Sequence, residues 1–168
     1  AMVLSTEVDD QPTSRTVLLK DLTDGGFTFF SNYESRKGKQ ISENKNVSLL
    51  FPWYPMERQV IVIGSATKIA REDSEKYFAT RPRSSQIGAW ASEQSAELSS
   101  RQELENKFKE LENKFAKEEV IPTPPYWGGY IVDPISIEFW QGRYSRLHDR
   151  IRYVREKNNN WQLKRLNP

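Results

Sequence analysis

The sequence contains no cysteine and a single histidine. Without cysteine there is no disulfide and no thiolate metal site, and one imidazole has no second imidazole with which to build a metal centre. A reducing compartment fits this composition. No apolar run approaches the ~18 residues that a membrane-spanning helix needs, and Ala1 to Asp10 lacks the basic-then-apolar order of a signal peptide. An excess of one charge is missing too: 25 Lys and Arg stand against 23 Asp and Glu, a net +2. That is too little for general attraction to nucleic acid, and the arginines are spread over separate elements. The expectation is a soluble, cytoplasmic protein whose basic sites are local.

What is present argues for a packed core. Hydrophobic residues make up 36%, with five Trp, seven Tyr and eight Phe, which speaks against disorder. Charged residues at 29% and a mean hydropathy of -0.77 assign much polarity to the surface. A chain of 168 residues fits one domain, and a domain of that size buries about 70% of its unfolded surface.

The first half reads as a β-meander. Met2-Val3-Leu4 leads to a turn at Asp9 to Pro12, Thr16 to Leu19 follows as a strand, and Asp24-Gly25-Gly26 turns into Phe27 to Phe30. Ser48 to Trp53 and Arg58 to Gly64 make another pair. The run Val60-Ile61-Val62-Ile63 predicts a strand covered on both faces, as in a closed barrel or at a subunit interface. Tyr130 to Val132, Ile135 to Trp140, Ile151 to Val154 and Trp161 to Leu166 complete the strands. Three helices are expected: from Ser35 as N-cap to about Asn44, from Glu72 to Thr80, and one opened by a capping box of Ser100 and Glu103. In the last, Leu104, Phe108, Leu111 and Phe115 form an apolar stripe. Its repeated ELENKF spans too few heptads for a coiled coil. The expected class is α+β, an antiparallel barrel with packed helices, over residues 1–168 as one domain.

The candidate chemistry lies in clusters of cations. Arg146 to Arg150 reads RLHDR, which places the lone His148 between arginines and points to an anionic small molecule, phosphorylated or carboxylated. Ser35-Arg36-Lys37-Gly38-Lys39 puts cations in the first turn of a helix. There they oppose the helix dipole by ~0.3–1 kcal/mol each unless an anion reverses the cost. Arg15 and Lys20 bracket the Thr16 to Leu19 strand and, by period-two alternation, point to opposite faces. Tyr77 and Arg81 share a helix face, with Ser84 and Ser85 just beyond Pro82, a second plausible phosphate clamp.

Taken in order, RTVLLK, FFSNYESRKGK, RQVIVIG, YFATRPRSSQIGAWASEQS, WGGY and EFWQGRYSRLHDR resemble the pyridoxine (pyridoxamine) 5'-phosphate oxidase family. The resemblance runs from Met2 to Pro168. It implies an FMN-binding split barrel, with two FMN sites at a homodimer interface, and a place in vitamin B6 salvage or biosynthesis. For the cofactor it implies Arg15, Thr16, Val17, Leu18, Phe30, Ser31, Arg36, Lys37, Gln59, Gln94, Ser95, Trp140 and Arg150. Lys20, Tyr77, Arg81 and Ser85 correspond to its clamp on the substrate phosphate, and Arg146 and His148 to its active-site pair, which also contact substrate. The implied reaction oxidises pyridoxine or pyridoxamine 5'-phosphate to pyridoxal 5'-phosphate with O2 as acceptor, giving H2O2, and ammonia from the amine. No metal is implied. Against the family pattern the sequence opens at what reads as the first barrel strand, without the preceding segment that folds over substrate, which puts substrate closure in question. Two other readings are a split-barrel flavin reductase of another substrate and a non-catalytic FMN or pyridoxal phosphate binder.

Overall fold

The sheet is built from strands with one apolar face. The computed structural model describes residues 1–168, and its strands are β1 (Met2–Val8), β2 (Gln11–Val17), β3 (Asp21–Thr23), β4 (Gly26–Asn32), β5 (Asn46–Trp53), β6 (Arg58–Lys68), β7 (Trp127–Gln141), β8 (Asp149–Arg155) and β9 (Trp161–Leu166). Their order is β2-β1-β5-β6-β7-β4-β3, with β8 on β7 and β9 on β8. The helices are α1 (Arg36–Glu43), α2 (Arg71–Ala79), α3 (Arg83–Ala91) and α4 (Arg101–Phe115). The chain divides into two units. The first comprises Ala1–Phe29, Gln40–Thr67 and Ile131–Pro168, and the second Phe30–Lys39 and Lys68–Tyr130.

In the first unit, β1 and β2 pair from Met2 opposite Val17 to Val8 opposite Gln11. Asp9 and Asp10 turn between them with φ of 54° and 58°, the geometry of a two-residue hairpin, which Asp tolerates better than most side chains. Leu4, Phe29, Leu49, Val62 and Val132 are fully buried here. Gly26 has φ 124°, and a Cβ on it would lie 2.0 Å from the Val132 carbonyl oxygen, so only glycine fits.

The expected strands are present, with four differences. β2 starts earlier and stops at Val17, so Leu18 to Lys20 leave the ladder and period-two alternation does not carry from Arg15 to Lys20. β3 was not expected; its three residues are all exposed, so no apolar pattern marks it. Within one chain β6 is covered on one face: Val60 and Val62 are buried while Ile63 is 46% exposed, because a strand on one core sends alternate side chains outward, so of the two expected settings a subunit interface is the one left for its outer face. Finally, β7 runs unbroken for 15 residues through Asp133 and Pro134, where a pause between two strands was expected.

The second unit is helical. Phe78, Ile87, Phe115, Ile121 and Trp127 form its core, flanked by Phe30, Tyr77, Trp90, Phe108, Leu111 and Tyr126. Phe108, Leu111 and Phe115 of the α4 stripe therefore pack here, and Ser100 Oγ accepts from the Glu103 amide at 3.2 Å. α3 was missed because Pro82 reads as a stop. It ends α2 but also serves as N-cap of α3, a place where its missing N–H costs nothing.

One ion-pair cluster ties the C-terminal strands together. Glu138 on β7 lies opposite Arg152 on β8 and is 5% exposed. One carboxylate oxygen accepts from Arg152 at 2.7 and 2.9 Å, the other from Arg150 at 2.8 Å. Burial pushes this carboxyl up, but the hydrogen bonds and charges of Arg152 and Arg150 together outweigh burial and hold it below the ordinary 4.5. A depressed carboxyl stabilises the fold above its unfolded value, and that contribution is lost as pH falls through the folded value. Glu138→Gln is expected to lower stability by on the order of 2 kcal/mol at neutral pH, less than for a fully buried pair because the arginines stay partly solvated. Urea midpoints should converge with those of the parent as pH drops below the carboxylate range; a gap that persists there would exclude this origin. Ser100→Ala should cost about 1 kcal/mol and lower Tm by roughly 2–4 °C, read by thermal melting.

Candidate active site

In the second unit the start of α1 builds a cation site. Ser35 caps it: its Oγ donates to the Asn32 carbonyl at 2.7 Å and accepts from the Gly38 amide at 3.3 Å. A Cβ on Gly38 would lie 2.1 Å from the Tyr33 carbonyl oxygen, so the SRKGK run needs its glycine for this approach. Lys37 is 9% exposed. Its Nζ donates to Ser31 Oγ at 3.1 Å, Ser35 Oγ at 3.3 Å and Gln94 Oε1 at 3.1 Å. Three hydroxyl and amide oxygens thus hold this buried ammonium in place. A cavity of about 430 Å3 alongside is lined by Arg36, Lys39, Gln94 and Ser95 among others. Five expected cofactor residues, Ser31, Arg36, Lys37, Gln94 and Ser95, therefore share one region. Phe30 does not join them. Its ring stacks on Tyr77 at 3.9 Å and on Trp127 at 5.3 Å.

That aromatic stack borders a second cation in the same unit. Tyr77 sits near the end of α2, Arg81 in the α2–α3 junction and Ser85 in the first turn of α3. The Arg81 guanidinium lies 4.7 Å from the Trp127 ring centroid and 5.4 Å from that of Phe78. Its NH1 is buried with no hydrogen-bond partner. Burial lowers its pKa, opposed by the Tyr77 hydroxyl. A buried guanidinium nitrogen with nothing to donate to is costly, and an anion would relieve it.

In the first unit, the β7–β8 turn gathers a third set. A cleft of about 370 Å3 is lined by Gln59, Trp140, His148, Glu57, Arg58 and Arg143 among others. The His148 ring packs 4.7 Å from Trp140, and its Nδ1 accepts from the Arg143 amide at 3.1 Å. That bond places the neutral imidazole's proton on Nε2. Arg143 and Arg165 both bond Asp149 at 2.8 Å, pinning the residue next to His148 and holding its carboxyl below the usual range. Arg146 is exposed and carries no hydrogen bond or ion pair. It follows Ser145 in a turn where both have positive φ, 58° and 62°, a conformation that costs free energy in residues other than glycine and gathers at functional sites. Arg150, directly opposite Trp140, is engaged by Glu138.

Four expected cofactor residues cluster on β2 and its exit. The Arg15 guanidinium bonds Leu4 O, Thr6 Oγ1, Thr13 Oγ1 and Gln40 Oε1. Thr16 and Leu18 are exposed and Val17 half-buried. Lys20 is exposed, its amide bonded to the Thr28 carbonyl at 2.9 Å. Sequence reasoning assigned nothing to Gln40, Glu138 or Trp127. Gln40 and Glu138 take their roles from partners distant in sequence, whereas Trp127 stood in a quoted motif, WGGY, as a large aromatic next to paired glycines.

Known proteins of similar sequence and fold identify the family of the chain. The family model for pyridoxamine 5'-phosphate oxidase matches residues 1–115, and that for the pyridoxine 5'-phosphate oxidase C-terminal dimerisation region matches residues 127–168. A pyridoxine/pyridoxamine 5'-phosphate oxidase of Streptomyces avermitilis is 50% identical, covering 100% of this chain and 75% of the relative. One of Rippkaea orientalis is 56% identical, covering 100% and 79%. The crystal structure of PhzG from Burkholderia lata in complex with tetrahydrophenazine-1-carboxylic acid has a TM-score of 0.92 at 31% identity, covering 100% of this chain and 82% of that one. A pyridoxamine 5'-phosphate oxidase-related, FMN binding protein from Nostoc punctiforme, at 15% identity and TM-score 0.77 over 99% and 87%, shares the fold. These likenesses bear out the α+β split-barrel class. With both family models covering nearly its whole length, and relatives at 50% and 56% identity over all of it, the chain belongs to the pyridoxamine 5'-phosphate oxidase family.

Proposed function

We propose that this chain is an FMN-dependent oxidase that converts pyridoxine 5'-phosphate or pyridoxamine 5'-phosphate to pyridoxal 5'-phosphate. It works as a cytoplasmic homodimer of one oxidase domain per chain in vitamin B6 salvage or biosynthesis. The observation that carries this reading is the buried Arg81 NH1 without a partner, beside Tyr77. An anionic group entering from outside the protein would complete it. The names of relatives at 50% and 56% identity supply the substrate class. Homodimerisation is supported by the match to a dimerisation region and by Phe139, Trp161 and Leu163, left 41–56% exposed on one face of the β7–β8–β9 ladder.

The donor sets suit two phosphates. Lys37 and Arg36, with Ser31, Gln94 and Ser95, form a hydroxyl- and amide-lined cation site of the kind a cofactor phosphate needs, and Arg15, Thr16, Val17, Leu18, Gln59 and Trp140 are the further residues assigned to the cofactor. Lys20, Tyr77, Arg81 and Ser85 hold the substrate phosphate. FMN, when bound, accepts two electrons from the substrate and passes them to O2, giving H2O2. The chain's own share is orientation and charge. His148 presents Nε2–H to a polar group of the substrate. Arg146, unpaired and set by its strained turn, positions the carbon that loses hydride and assists removal of a proton from the hydroxyl or amine on it. From the amine the product imine takes up water and releases ammonia.

The test is spectroscopic. Purified protein loaded with FMN should bleach in the flavin band when pyridoxamine 5'-phosphate is added without oxygen, and recover on admitting air. Retained colour without bleaching would instead indicate a non-catalytic binder. Arg146→Leu is expected to lower turnover by about 100-fold, the scale of one positioned proton-transfer group, with FMN retention unchanged. Equal loss of both would refute the division of roles.

A further inference from the structure

An arginine that waits for an anion poses a physical problem. A carboxylate partner would hold it but neutralise it and consume the donors that the anion needs. The α2–α3 junction solves this with aromatic faces. Arg81 sits over Trp127 at 4.7 Å and Phe78 at 5.4 Å, and a ring face attracts a cation without using its in-plane N–H donors. We infer that Trp127 is a positioning residue for phosphate recognition: its indole face carries the Arg81 guanidinium and leaves the donor fork for the substrate's phosphate. The inference rests on the proposed role of Arg81.

The surroundings of Trp127 fit this role. The indole is 7% exposed, stacks on Phe30 at 5.3 Å with planes 12° apart and meets the Phe78 edge at 5.0 Å. Its backbone is tied twice. The Trp127 amide donates to the Pro124 carbonyl at 3.1 Å, and the Trp127 carbonyl accepts from Arg71 NH1 at 2.9 Å. The same guanidinium bonds the Pro124 and Thr123 carbonyls at 3.1 and 2.8 Å and Glu75 at 2.8 Å. Arg71 is thus an arginine with four of its five donors engaged, four residues of chain held by one fork. Arg81, ten residues on, has a buried nitrogen that donates to nothing. The contrast marks Arg81 as the functional one. The backbone at Arg81 is also fixed, its carbonyl accepting from Gln86 Nε2 at 2.9 Å, so the indole has only the guanidinium left to place.

The experiment uses FMN-loaded protein and two probes, pyridoxal 5'-phosphate and pyridoxal, which differ only in the phosphate. Trp127→Phe and Trp127→Tyr keep a ring in the stack but offer a weaker face to the cation, and FMN retention with melting temperature reports that each is folded. Trp127→Phe is expected to weaken pyridoxal 5'-phosphate binding about tenfold, equivalent to about 1.4 kcal/mol, with Trp127→Tyr intermediate. Pyridoxal affinity should be unchanged. In an Arg81→Ala background, itself weaker for the phosphorylated probe, Trp127→Phe should have no further effect on that probe. Equal loss with and without Arg81, or loss for both probes alike, would show that Trp127 serves packing alone and overturn the inference, as would failure of both aromatic variants to retain FMN. If Arg81→Ala leaves pyridoxal 5'-phosphate affinity unchanged, the substrate-phosphate role of Arg81 itself falls.

Discussion

A cation withdrawn from water must be held by something, and what holds it decides whether its charge remains available. This molecule uses two kinds of support. Arg150 and Arg152 meet Glu138, and Arg155 meets Asp133 at 2.6 and 2.7 Å; those charges are neutralised and serve the sheet. Lys37 and Arg15 are bonded by hydroxyl and amide oxygens, and Arg81 rests on ring faces. At Arg81 such support fixes position while leaving a buried guanidinium nitrogen open to an incoming acceptor. The sites proposed for two phosphates are the places where the second kind of support occurs.

The local architecture follows from that division. Helix starts and junctions carry the cations of the proposed phosphate sites: α1 opens with Arg36 and Lys37 under a Ser35 cap, and Arg81 lies where Pro82 ends one helix and begins another. Loop and turn backbone supplies the close approaches, as at Gly38 against Tyr33. The β7–β8 turn differs, because there the site is assembled from a rigid hairpin whose strained crossing aims Arg146 outward while Asp149 is pinned from two sides. A rigid strand base with a strained turn at its end positions a side chain without burying it.

Much of this was readable from residue order alone. Alternating apolar residues marked the longer strands, the Ser100 and Glu103 pair marked α4, and the Ser35 cap marked α1, since each is a local rule over a few residues. The cation clusters at Arg36-Lys37, at Arg81 and at RLHDR were visible for the same reason, and the family motifs stood in register around them. β3 and α3 escaped because their signals are weak or ambiguous: β3 has no buried residue, and Pro82 reads equally as a stop and a start.

Composition, local caps, strand alternation and the motifs thus determined the fold class, the family and the identity of the candidate residues. Tertiary structure alone decided which of those residues keep company. It brought Gln94 to Lys37 across 57 positions and stacked the Phe30 ring on Tyr77 and Trp127. It also gave Arg150 to Glu138. Side-chain partners far apart in sequence are set by strand register and helix packing, which depend on the sum of many weak contacts and not on any short run of residues.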